Sequence, residues 1–161
     1  MSATQSSTTV IRTAFALEAL ANIFGAACML AYPTQILTWA MPSSLLPDSP
    51  SPLAKTLLTW LAGLTIGLTP QLLLSLPDTP RAKAGRWIVY TTLGAGEAAL
   101  VALMAWSGIT RTEDAIGMSK KTLWVCGGNL GGIVLWRIYA MVWHPEWFEG
   151  KGVEITEQKK R

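Results

Sequence analysis

The stretch WIVYTTLGAGEAALVALMAWS, Trp87 to Ser107, decides how the rest of the chain is read. It is apolar along its length apart from one charge, Glu97, near its middle. About 20 such residues cross the ~30 Å of hydrocarbon in a bilayer. A carboxylate at that depth costs roughly 3 kcal/mol on insertion scales, so it must be paired, protonated or hydrated in a cavity.

Three further stretches read the same way. Span one runs from about Val10 to Tyr32, and Pro33 stops it. Span two runs from about Leu53 to Leu76, with Pro70 expected to kink its last turns. Span four runs from about Thr122 to Trp143, before His144-Pro145. The composition agrees. Of 161 residues, 50% are hydrophobic and only 14% charged, and the mean hydropathy is +0.34. Soluble domains carry about 25% charged residues. The expected fold is an all-α, four-helix transmembrane bundle forming a single membrane domain over residues 1–161.

The start of the chain, Met1 to Thr9, has no basic segment, and Tyr32-Pro33 is no cleavage site. The first apolar run is therefore expected to stay as a helix. The segment Pro33 to Pro52 is too apolar for a free loop and too broken by proline for a span. It reads as an interfacial or re-entrant segment, either an aromatic anchor or a lid. Four spans place both termini and the Asp78–Arg86 connection on one side. Arg12, Arg81, Lys83, Arg86, Lys151, Lys159, Lys160 and Arg161 fall there, against Lys55, Arg111, Lys120 and Lys121 opposite. The positive-inside rule puts the termini in the cytosol. The basic tail over 144–161, ending Lys159-Lys160-Arg161, is close to a retrieval signal and points to the endoplasmic reticulum.

The net charge of +3 is a matter of topology. No basic stripe interleaves with aromatics, so nucleic acid is not an expected partner. Cys28 and Cys126 read as small packing residues. His144 is the single histidine and lies at a span end. No metal site and no cofactor are expected. Gly63/Gly67, Gly127/Gly131 and Gly128/Gly132 have helix-packing spacing. They serve contacts within the bundle or, on span four, a homodimer.

Polar residues concentrate on one face of each span. Glu18 and Asn22 are four apart on span one. Tyr90 and Glu97 share a face of span three with Gly94 between them. Asn129, Trp136 and Arg137 share a broad face of span four, and Trp60, Gly63, Gly67 and Gln71 a face of span two. At 1.5 Å per residue, Glu18 and Glu97 lie roughly 12 and 15 Å deep, and Arg137 about 8 to 10 Å. Two acids beside one cation cannot both ionise comfortably, so one is expected to hold a proton. Glu97 is the expected general acid, with Glu18 as paired base or electrostatic stabiliser, tuned by Arg137. Asn22, Asn129 and Tyr90 are expected to orient a lipophilic substrate, and Trp60 and Trp136 to line its pocket.

Glu18, Glu97, Trp136-Arg137-Ile138-Tyr139 and the stretch Trp143 to Phe148 give the chain an architecture that resembles the EXPERA group, the four-span proteins of the sterol-isomerase and sigma-2-receptor type. It is similar in style to the membrane-bound cyclases of fungal meroterpenoid pathways, which have more spans. The resemblance lies in architecture and carries over no residue roles. It implies cofactor-free acid–base isomerisation or cyclisation of a terpenoid, sterol or polyketide-like molecule, in a setting such as secondary-metabolite biosynthesis. Two other classes use the same features: a non-enzymatic lipid-binding accessory protein and a small proton-coupled transporter.

Overall fold

The computed structural model describes residues 3–42, 44 and 50–148, with side chains from residue 8 onward. The basic tail beyond Phe148, and most of the proline-rich stretch after Pro42, lie outside the described residues. The chain is all-α. Four helices are long and apolar enough to cross a membrane: α1 (Ala3–Ala31), α3 (Pro52–Leu74), α4 (Pro80–Thr110) and α6 (Lys120–Trp143). Between them lie the short helices α2 (Pro33–Ala40) and α5 (Glu113–Ile116), and a 3-10 turn, Pro145–Trp147, follows α6. This is the fold of an integral membrane protein. Its outer surface is Leu, Ile, Val and Trp, including Leu64, Leu103 and Leu135, each more than 60% exposed. Lipid accepts such a surface, whereas water would not.

Local chemistry sets the ends of the helices. Ser51, Thr79 and Ser119 each precede a long helix, and their hydroxyls accept from the backbone N–H three residues on. Pro52 and Pro80 occupy the first helical position, where no N–H is needed. Thr79-Pro80 starts α4 two turns before Trp87, the expected boundary. Arg86 therefore belongs to α4 and not to the connection. Its side chain is fully buried. Nε donates to the carbonyl of Ser75 at 2.9 Å and Nη2 to that of Pro77 at 3.0 Å. It thus closes the open carbonyl end of α3. Asp78 pairs with Lys83 at 3.1 Å and lies 3.6 Å from Arg86.

The long helices pack as two pairs, α1 with α3 and α4 with α6. Buried alanines, Ala19 and Ala26 on α1 and Ala62 on α3, keep the first pair close. In the second pair, a Cβ on Gly108 would lie 3.0 Å from Leu123, and one on Gly127 3.7 Å from Met104. The remaining glycines of the expected packing pairs, Gly63, Gly67, Gly128, Gly131 and Gly132, face open space.

The pairs are joined at both ends. At one end, where α1 begins and α6 finishes, Phe148 inserts beside Tyr90 and Trp87, at ring-centroid distances of 5.0 and 5.2 Å. Ile11, Phe15, Leu72, Tyr90, Ala140 and Phe148 form one buried cluster there with Ala19. At the other end α2 lies across the start of α6. The Ser119 N–H donates to the Ala40 carbonyl at 2.8 Å, and the Thr122 hydroxyl to that of Trp39 at 3.2 Å. Between these two closures the pairs part.

The face of α3 differs from the expectation. Trp60 is 65% exposed, and Gly63, Gly67 and Gln71 also point outward. The inward face is Ala62, Thr69 and Leu72, with Thr65 half-buried. Thr65 and Thr69 hide their hydroxyls by donating to carbonyls four residues back. A polar-looking stripe was therefore lipid-facing, and a threonine stripe that hydrogen-bonds to its own helix turned inward.

Candidate functional site

A cleft of about 1430 Å³ fills the gap between the helix pairs. Its wall on α1 runs from Thr9 to Asn22, on α4 from Tyr90 to Leu100 and on α6 from Leu130 to Arg137, with Thr65 and Leu68 from α3. No residue of α2 lines it, so it stops short of that end of the bundle. Apart from Glu18, Glu97 and Arg137, every described lining residue is uncharged.

Those three charges form one cluster. Arg137 is 1% exposed. Its Nε donates to one oxygen of Glu97 at 2.7 Å, and its Nη2 to the other at 2.9 Å. The same Nη2 donates to Oε1 of Glu18 at 2.6 Å. The guanidinium carbon lies 4.5 Å from the centre of the Tyr90 ring, a cation–π contact. Phe15 meets that ring edge-on at 5.6 Å, and Phe148 covers it further. Gly94 clears the path of the arginine side chain, since a Cβ there would come within 3.1 Å of its Cδ.

The two acids are not equivalent. Both oxygens of Glu97 are held in a two-pronged bond to Arg137. Such bidentate charge-assisted bonds are among the strongest available to a side chain. Glu18 gives one oxygen to Arg137, and its other has no partner among the described residues; both acids line the cleft, their side chains 20% and 17% exposed for Glu18 and Glu97. Depth alone ranked Glu97 first as the proton donor. The bonding pattern makes Glu97 the acid that aims Arg137 and leaves Glu18 with one oxygen unpaired among the described residues.

The other expected site residues divide. Asn22 lines the cleft one turn beyond Glu18, and Trp136 lines it beside Arg137. Tyr90 is beneath the arginine, 1% exposed, with its hydroxyl outside hydrogen-bonding geometry. Trp60 and Asn129 are exposed and contribute nothing to the cleft. The face containing Arg137 excludes Asn129, which lies eight residues earlier and points outward. Three contributors escaped the sequence reading: Phe15, Thr65 and the plug Phe148. Phe15 shares its face with Ile11 and Ala19 at spacings of four, which was the signal available. Phe148 follows a proline turn whose direction no periodicity gives.

Around the same end, Tyr139, His144 and Glu146 form a surface chain. The Tyr139 hydroxyl and the Glu146 carboxylate lie 2.8 Å from opposite ring nitrogens of His144, which stacks on Trp147. That bond from His144 holds the Glu146 carboxyl below its usual range.

No family model, curated protein or solved structure matches this chain. The reading of function therefore rests on the cleft and its chemistry.

Proposed function

We propose that the protein is a small enzyme of the endoplasmic reticulum membrane, its termini cytosolic. It would carry out cofactor-free isomerisation or cyclisation of a lipophilic terpenoid, sterol or polyketide-like molecule. The observation that carries this reading is the Glu18 carboxyl on the wall of a large apolar cleft, anchored through one oxygen to a buried arginine and with the other unpaired among the described residues.

In the acid form, Glu18 delivers its proton to an alkene or dienol carbon of the bound molecule. The carboxylate left behind is stabilised by the N–H of Arg137 already bonded to it, so no group has to reorganise. The positive charge created on the substrate lies in a cleft that also presents the Trp136 face, which can attract a cation. Glu18 then removes a proton from a neighbouring carbon, which completes a shift or closes a ring and restores the acid. Glu97 takes no proton in this scheme and keeps Arg137 in position.

The test is carbon-bound deuterium. Detergent-solubilised protein is incubated in D2O with a panel of neutral polyenes, enones and epoxides, and the lipids are read by mass spectrometry. Deuterated product should form with the native chain and fall by about 100-fold or more in Glu18→Gln, the range for losing a general acid. Undiminished turnover by a well-folded Glu18→Gln protein would sink the assignment. The accessory-protein reading is favoured by there being, among the described residues, a single acid in the cleft not held through both oxygens. It predicts retained ligand and no deuterium. Transport draws no support from a cleft that ends before α2.

A further inference from the structure

Among the described residues, two polar groups of the middle of α1 line the cleft without a partner, and the Thr13 hydroxyl does so nearer the start of the helix. Of the two, one is the second oxygen of Glu18. The other is the side chain of Asn22, which makes no hydrogen bond to any described residue. Four residues apart on a helix, they lie on one face about 6 Å from each other along the axis. Asn22 is half-buried on the cleft wall, and a ligand able to pair with its amide gains a hydrogen bond worth about 0.5–1.5 kcal/mol.

The charge pattern limits what that ligand can be. The lining offers two carboxyl groups and one guanidinium. Nε and Nη2 of Arg137 are occupied by the carboxylates, and Nη1 is buried out of reach. Among the described lining residues, no cationic donor is therefore free for a headgroup. A carboxylate or phosphate placed here would give up its hydration and face two acids across a short distance. A neutral oxygen does better. The Asn22 N–H can donate to it. The free oxygen of Glu18 can accept from a hydroxyl, or in its acid form donate to a ketone or epoxide.

We propose that the cleft takes a neutral lipid with one oxygen function, a hydroxyl, ketone or epoxide, seated between Glu18 and Asn22, and that it turns away fatty acids and lipid phosphates. The hydrocarbon body lies along Leu17, Leu93, Leu100 and Leu130. This names the substrate class of the reaction proposed above and rests on that reading of the cleft as a ligand site. It also makes Asn22 the residue that selects the headgroup.

The experiment offers purified protein an equimolar mixture of hexadecane, hexadecanol, a hexadecanone, hexadecanoic acid, hexadecyl phosphate and hexadecylamine. Bound lipid is extracted after gel filtration and quantified by mass spectrometry. The alcohol and ketone should exceed the acid and the phosphate by about tenfold or more. In Asn22→Leu their retention should fall about tenfold, the loss of one hydrogen bond, with hexadecane unchanged. Parity of the acid, the phosphate or the amine with the alcohol overturns the inference, as does retention of none of them. So does an Asn22→Leu protein that keeps the alcohol. If that variant elutes as aggregate, the ranking by the native chain decides alone. Turnover is not read, so the two proposals fail separately. A selective protein that never incorporates deuterium sinks the enzyme and leaves this inference standing. A protein that incorporates deuterium yet prefers acids does the reverse.

Discussion

Gly94 stands against the side chain of Arg137, and a methyl group added there would lie 3.1 Å from the arginine's Cδ. Three hydrogen bonds to Glu97 and Glu18 hold that side chain, so it cannot step aside at little cost. Gly94→Ala should therefore lower the unfolding midpoint in detergent despite the better helix propensity of alanine, by about 1–3 kcal/mol of overpacking. Gly96→Ala, two residues on, meets nothing within 4 Å and should be neutral or slightly stabilising. Equal effects of the two substitutions would mean that Arg137 does not lie over Gly94.

The triad predicts an ordered set of losses. Arg137→Ala leaves two acids facing each other in an apolar setting and should cost about 3–5 kcal/mol. Adding Glu18→Gln should recover part of that cost. Strictly additive losses in the double variant would show that Glu18 and Arg137 do not interact. Arg137→Lys keeps the charge but cannot make the two-pronged bond, so it should fall between the native chain and Arg137→Ala.

Glu97→Gln and Glu18→Gln should separate stability from turnover. The first breaks the bidentate pair and should be the more destabilising in thermal unfolding. The second should be milder in unfolding and more severe in deuterium incorporation. A reversal in both measurements would return Glu97 to the role of proton donor.

Asp78 gives a pH dependence. The hydrogen bond from Lys83, with the nearby charges of Arg86 and Arg12, holds its carboxyl below the usual carboxylate range. A carboxyl whose folded value is depressed adds stability above its unfolded value of about 3.9, and that stability is lost as pH falls through the folded value. The unfolding midpoint should decline from about pH 4 downward. Asp78→Asn should flatten that part of the curve. An unchanged slope would place the effect elsewhere.

Topology is checked by labelling. In a chain with Cys28 and Cys126 replaced, single cysteines at Thr79 and Thr112 should react from opposite sides of the membrane. Thr79 should react from the cytosol. Reaction of both from one side would contradict the crossing of α4.

The four spans were legible because lipid imposes a crude rule, long apolar runs without charge, which Trp87 to Ser107 obeys over its whole length. The partnership of Glu18, Glu97 and Arg137 was legible too, since depth follows from counting residues and charges in lipid must find each other. What escaped was direction. Trp60 and Asn129 looked like pocket residues because, in lipid, a helix face with polar or aromatic groups among small residues is expected to turn inward. In a bilayer the outer surface tolerates a tryptophan, whereas nothing in the structure explains the outward position of Asn129, nine residues into α6. Thr65 and Thr69 looked unremarkable because their hydroxyls are satisfied by their own helix, which makes them free to turn inward. The early start of α4 was hidden by Arg81, Lys83 and Arg86, which read as loop charges. Arg86 instead uses its charge on the carbonyl end of α3.

Glu18 and Arg137 are separated by 119 residues. The ribosome therefore delivers the acid of the first helix to the bilayer long before the arginine that will hold it. Until α6 is made, the nascent α1–α3 hairpin contains a carboxyl with no cation at its depth, and it must remain at the insertion machinery or pass into lipid as the neutral acid. The arrival of α6 completes the ion cluster and brings Phe148 into its place at the same end. A chain interrupted before α6 would thus carry a mark of incompleteness inside the membrane, readable by quality control as an unpaired acid.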